Sequence, residues 1–237
     1  MHLASHEAVS RPLATRAMAT LMLAMGVCVG TGVGLCAASG PAWAATPAAG
    51  AGANAADNAT ADTASFSVDT LMHAFAQRKS GEAHFTELKY LSNLKGPVES
   101  SGTLMFRAPD HFEQQTLTPR AQSLVVDGDT VTMSRGGNQR VVSLSQYPEI
   151  AMLVDSIRGT LTGDRSSLER VYTLTLAGAP RAWQLTLKPS DPSLTKSVDR
   201  IVVSGGEGTD HVAQIHTIET FQADGDRSVM TIETDTP

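Results

Sequence analysis

The residues that usually perform chemistry are sparse in this sequence and poorly spaced for it. Beyond the N-terminal stretch the histidines are His73, His84, His111, His211 and His216. None stands in the H-x-x-x-H or H-E-x-x-H spacing that turns two imidazoles to one helix face, so no metal centre is expected. His84 and His111 fit better as polar residues on half-exposed strands. Asp127-Gly128-Asp129 and Asp224-Gly225-Asp226 lack the further oxygen ligands of a calcium loop, and tight turns account for both. There is no G-x-S-x-G, which argues against a serine hydrolase. Gly205-Gly206-Glu207-Gly208 is not followed by a Lys-bearing helix, so it reads as a hairpin tip and not as a phosphate loop. No catalytic residue or cofactor is expected, and the chain reads as a non-enzyme.

Both cysteines, Cys28 and Cys36, fall in an apolar N-terminal run from Ala17 to Ala38. Arg11 and Arg16 precede that run and Ala42-Trp43-Ala44 follows it, the order of a secretory signal peptide with an A-x-A cleavage site. The run is long enough for a membrane anchor. Gly26, Gly30, Gly32, Gly34 and many alanines leave it weakly hydrophobic, which favours cleavage after Ala44. Val27 and Leu35 stand before the cysteines where a lipobox needs a small residue, so a lipid anchor is not expected. The mature chain would hold no cysteine, hence no disulfide and no thiol nucleophile.

The full chain has 237 residues, with 18 Lys and Arg against 24 Asp and Glu. The leader holds two of the arginines and one glutamate, so the mature chain carries a formal charge of −7. An acidic surface without a basic cluster argues against nucleic acid and against tight binding to anionic membranes. Residues 45–64 are nearly all Ala, Thr, Gly, Asn, Asp and Pro and read as a flexible linker. The folded domain is expected over 65–237.

The elements that would position any site follow from periodicity. Ser65 or Ser67 can cap a helix running to about Lys79, with Phe66, Leu71, Met72 and Phe75 as its stripe. Strands are predicted over 82–91, 98–107, 111–118, 122–126, 130–135 and 139–144, punctuated by Asp-Gly and Gly-Gly turns. Pro148 opens a second helix with Ile150, Leu153, Val154, Ile157 and Leu161 at helical spacing, and Gly163 ends it. Strands resume over 171–176, 182–188, 198–204, 211–222 and 228–234. About eleven strands in antiparallel hairpins with two helices make a mainly β, α+β chain with one strongly curved sheet. Residues alone leave two interiors open. The helices could pack a full core, or leave an apolar cavity on the concave face.

The stripe with Leu71 and Phe75, then Ala83-His84-Phe85-Thr86, Ser101-Gly102-Thr103-Leu104, Arg107-Ala108-Pro109-Asp110-His111-Phe112 and Val126-Asp127-Gly128, resembles the outer-membrane lipoprotein carrier (LolA) family from about Phe66 to Thr234. The resemblance implies an open, eleven-stranded half-barrel with a helical lid over an apolar cavity. It implies a monomeric periplasmic carrier that takes acylated lipoprotein or lipid cargo from an inner-membrane transporter and gives it to an outer-membrane acceptor. The same fold also serves regulatory modules that sense lipids or lipoproteins, usually with a further domain. None is expected after Thr234.

The candidate cavity residues are Met72, Phe75, Leu104, Phe106, Phe112, Met133, Ile150, Leu153, Val154, Ile157 and Trp183. Phe112 matches an apolar lining position of the family, and Ile150, Leu153 and Val154 fall on its lid helix. Where the family commonly has a lid-latching Arg before the turn proline, this chain has Ala108, with Arg107 one residue earlier on the opposite strand face. Where the family often has Trp, this chain has Gln114. A displaced latch at Arg107 and a different lipid or amphiphile as cargo are therefore expected.

Overall fold

The structure, a computed structural model, describes residues 66–208 and 212–234. The leader, the linker, Ser65 and His211 lie outside the described residues. Helix α1 (Val68–Gln77) begins at Ser67, whose backbone is extended and whose side-chain oxygen accepts from the Thr70 amide at 3.2 Å. Leu71, Met72 and Phe75 form its buried stripe. The helix stops two residues short of Lys79. Arg78 is already extended, and Lys79 Nζ donates to the Ala76 carbonyl at 2.8 Å. The Lys79 side chain here finishes the helix instead of continuing it.

Eleven strands follow: β1 (Ser80–Tyr90), β2 (Val98–Arg107), β3 (His111–Thr118), β4 (Gln122–Asp127), β5 (Thr130–Arg135), β6 (Asn138–Ser143), β7 (Tyr172–Ala179), β8 (Ala182–Pro189), β9 (Val198–Glu207), β10 (Ala213–Gln222) and β11 (Arg227–Glu233). They form one antiparallel sheet in the order β6-β5-β4-β3-β2-β1-β11-β10-β9-β8-β7. The sheet is not closed: β6 and β7 are its two edges, and the first and last strands pair at its centre, Phe85 opposite Ile232. The predicted open half-barrel is the observed one.

Between the edge strands run a 3₁₀ turn (Leu144–Gln146), α2 (Pro148–Thr162) and α3 (Arg165–Glu169). Pro148 opens α2, and Gly163 closes it with φ of 70°. A Cβ at Gly163 would stand 2.0 Å from the Met72 carbonyl oxygen, so α1 and α2 meet through this glycine. Among the described residues α3 makes three α-helices where two were expected. It is too short to show periodicity, yet Asp164 caps it through the Ser167 amide at 3.1 Å. Arg165 ties α3 to Asp69 of α1 at 2.7 Å.

The core is in two parts. One buries Leu71, Met72, Phe75, Leu168, Tyr172, Trp183, Leu185 and Leu187 between α1, α3 and the β7–β10 half of the sheet. The other buries Leu124, Val126, Val131, Leu144, Ile150 and Val154 between α2 and β4–β5. The central strands lie between these two packed regions.

Candidate functional site

On the concave face of the central strands is a cavity of about 570 Å³. Its wall is mainly apolar: Leu104 and Phe106 from β2, Phe112 from β3, Ile218 from β10, and Met230 and Ile232 from β11. Leu153, Ile157 and Leu161 of α2 cover it. These positions share one face because residues opposite each other on antiparallel strands point the same way: Phe106 faces Phe112, and Ile218 faces Met230. At one end the exposed Ser80 and Glu82 meet solvent.

The cavity also holds charge. Glu87 and Lys89 alternate with Leu88 on β1 and point inward, leaving 2 % and 6 % of their surface exposed. Lys89 Nζ lies 3.7 Å from Glu87 Oε2, and Ser100 Oγ donates to the same oxygen at 3.5 Å. Burial pushes the Glu87 carboxyl up, against the pull of Lys89, Ser228 and Ser100. Burial pushes the Lys89 ammonium down, against the pull of Glu87.

The covering helix is fastened to the rim. Arg158 donates to the main-chain carbonyls of Gly128, in the β4–β5 turn, and of Asp110, in the β2–β3 turn, at 3.5 Å for the latter. On the inner side of α2, Ser156 is hydrogen-bonded to the Tyr172 hydroxyl at 3.0 Å. Burial pushes the Tyr172 phenol up, partly offset by that bond.

The sequence pattern of the family described as outer membrane lipoprotein carrier protein LolA-like matches residues 59–233. The chain belongs to this family. No curated protein matches it. Among solved structures it is similar to a LolA superfamily protein of Nitrosomonas europaea, at 12% identity, TM-score 0.38, over 72% of this chain and 93% of that one. The Mycobacterium tuberculosis lipoprotein LppX gives 13% identity and TM-score 0.40 over the same shares, 72% and 93%. The Pseudomonas aeruginosa MucA/MucB complex gives 16% and 0.36 over 72% of this chain and 57% of that one.

In this LolA-like chain five of the eleven candidate residues line the cavity: Leu104, Phe106, Phe112, Leu153 and Ile157. Met72, Phe75 and Trp183 are instead packed in the first core region, where Phe75 meets the Trp183 ring edge-on at 5.5 Å. Ile150 and Val154 are in the second core region, with Met133 packed against it. The α2 stripe divides because successive residues turn by about 100°. Ile150 and Val154 face β4–β5, while Leu153 and Ile157 face the cavity.

The expected latch at Arg107 is corrected. Arg107 is exposed at the end of β2, and Arg158 of the lid makes the bonds. Gln114 does line the cavity, buried beside Leu104. The Glu87–Lys89 pair was missed because Thr86-Glu87-Leu88-Lys89 ordinarily reads with Leu88 inward. The signal was the parity of Ala83 and Phe85 on the same strand. Among the described residues no helix is long and apolar enough to cross a membrane.

Proposed function

We propose that this protein is a periplasmic carrier, released from its leader after Ala44, that shelters acyl chains of a lipoprotein or lipid and shuttles them from inner to outer membrane. The observation that carries this reading is the apolar cavity under α2, whose 570 Å³ lies within the ~300–1,000 Å³ usual for ligand pockets. Family membership supports it.

Burying one CH₂ is worth about 0.8 kcal/mol, so exposing a long acyl chain to water costs on the order of 10 kcal/mol. Membrane-to-membrane exchange without a carrier is correspondingly slow. A dry cavity replaces one apolar medium with another, so loading and release stay near balance and need no chemistry in the carrier. An inner-membrane transporter would load it and an outer-membrane acceptor would unload it.

The test is transfer of a fluorescent acyl lipid between vesicle populations. The carrier speeds transfer in proportion to its concentration. Retention of the lipid on the protein, with no delivery, would instead fit a lipid-sensing module of the same fold.

A further inference from the structure

The cavity wall is mainly apolar, with Arg78 and Glu82 among its lining residues, and it carries the buried Glu87–Lys89 pair of β1 at one end. Lys89 stands opposite Ser228 of β11, and Ser228 opposite Thr220 of β10; Gln222 follows. All of these line the cavity. The Glu87 carboxylate has three partners, Lys89, Ser100 and Ser228. The Lys89 ammonium has three N–H donors. Among the described residues its partner is Glu87 alone. Donors are therefore left at the cavity surface for an oxygen that the protein does not supply.

The charge balance narrows which oxygen. Glu87 and Lys89 cancel each other, so the end of the cavity is dipolar and has no net charge. An anionic head placed on Lys89 would meet Glu87 in a poorly screened site, and a cationic head would meet Lys89 in the same way. A neutral head with both ester and hydroxyl oxygens suits both. Its carbonyl accepts from Lys89, and its hydroxyls donate to Glu87 and bond with Ser228, Thr220 and Gln222.

We propose that the Glu87–Lys89 end of the cavity is a head-group site for an uncharged lipid of the monoacylglycerol type. Its acyl chain lies along β1 toward Leu104, Phe112 and Ile157. From Lys89 to Ser80 the cavity follows roughly 30 Å of strand at ~3.3 Å per residue, room for a long chain. The proposal rests on the carrier reading and names the class of cargo for that same cavity.

The experiment is displacement of an apolar naphthalene dye by 1-monopalmitoylglycerol and by palmitate, at about pH 8 where the fatty acid is ionised. The wild type prefers the monoacylglycerol by about tenfold or more, the worth of one charge-assisted hydrogen bond. In Glu87→Leu/Lys89→Met that ratio collapses toward one. The ratio is read within each protein, so a general weakening of the cavity cancels. Equal affinities, or palmitate preferred, in the wild type overturn the head-group site. So does a preference that survives the double substitution. If the double variant does not fold, the wild-type comparison decides alone. A wild type that binds neither dye nor lipid overturns the carrier reading as well, which separates the two failures.

Discussion

Arg158, on the helix that covers the cavity, donates its guanidinium to the main-chain carbonyl of Gly128 in the turn between β4 and β5. The same nitrogen reaches the Asp110 carbonyl at 3.5 Å, in the turn beside it. His111 pairs with Asp127, so both turns belong to one rim of the sheet. Arg158→Ala removes this fastening, and hydrogen bonds to a charged group are worth about 2 kcal/mol. Faster uptake of an apolar dye in stopped-flow mixing, with a stability loss of that order, is expected. Arg107→Ala, at an exposed position, changes stability by no more than about 0.5 kcal/mol and leaves the uptake rate alone. An unchanged uptake rate in Arg158→Ala would show that α2 is held by packing alone.

The buried Glu87–Lys89 pair predicts an asymmetry between single and double substitutions. Lys89→Met strands the Glu87 carboxylate in the cavity and costs about 3–5 kcal/mol at neutral pH. Replacing both, as Glu87→Leu/Lys89→Met, is neutral or stabilising by about 1–4 kcal/mol. Burial raises the Glu87 carboxyl and lowers the Lys89 ammonium. With Lys89 removed, Glu87 binds its proton more tightly folded than unfolded. The loss in Lys89→Met therefore shrinks as pH falls toward the ordinary carboxylate range. Urea titrations of the wild type, both single variants Glu87→Leu and Lys89→Met, and the double variant at two pH values measure this directly. Additive single and double effects would mean that the two charges do not interact.

The opposite sign holds at Asp164. Hydrogen bonds from Ser167 and Ser166 hold its carboxyl near 2, down from 3.8. A depressed carboxylate contributes stability above its unfolded value and loses it as pH falls through the folded one. Asp164→Ala removes the cap of α3 and costs about 1 kcal/mol at pH 7. The gap between wild type and variant narrows between about pH 4 and 2, followed by thermal melts. A gap independent of pH would assign the whole effect to helix propensity.

The division of the α2 stripe is also testable. Val154→Ala empties part of a packed core and costs about 2 kcal/mol with little effect on dye binding. Ile157→Trp puts bulk into the cavity and reduces dye binding at small cost in stability. If both variants lowered stability alike and left dye binding equal, the space beside Ile157 would not be the binding cavity.

Much of the fold was legible because its signals are local. All eleven strands follow from alternation and from turn glycines, as at Asp127-Gly128, where φ is 52°. The interior was less legible, because which face of a strand is concave depends on partners far away in sequence. Phe75 and Trp183 look like cavity residues by type, yet they fill the space between α1 and β8. Ile218 and Met230 alternate plainly, but only the β10–β11 register brings them to the cavity. The Arg158 latch left no local signal. Its acceptors are main-chain carbonyls 30 and 48 residues away, and any sequence could supply them.

The most direct test of the carrier reading is native mass spectrometry of the chain from Ala45 to Pro237 purified from a periplasm, followed by organic extraction. The account predicts a discrete acylated adduct that extraction removes and that names the cargo. A protein that emerges ligand-free, and that gives no response to an apolar dye, would contradict it.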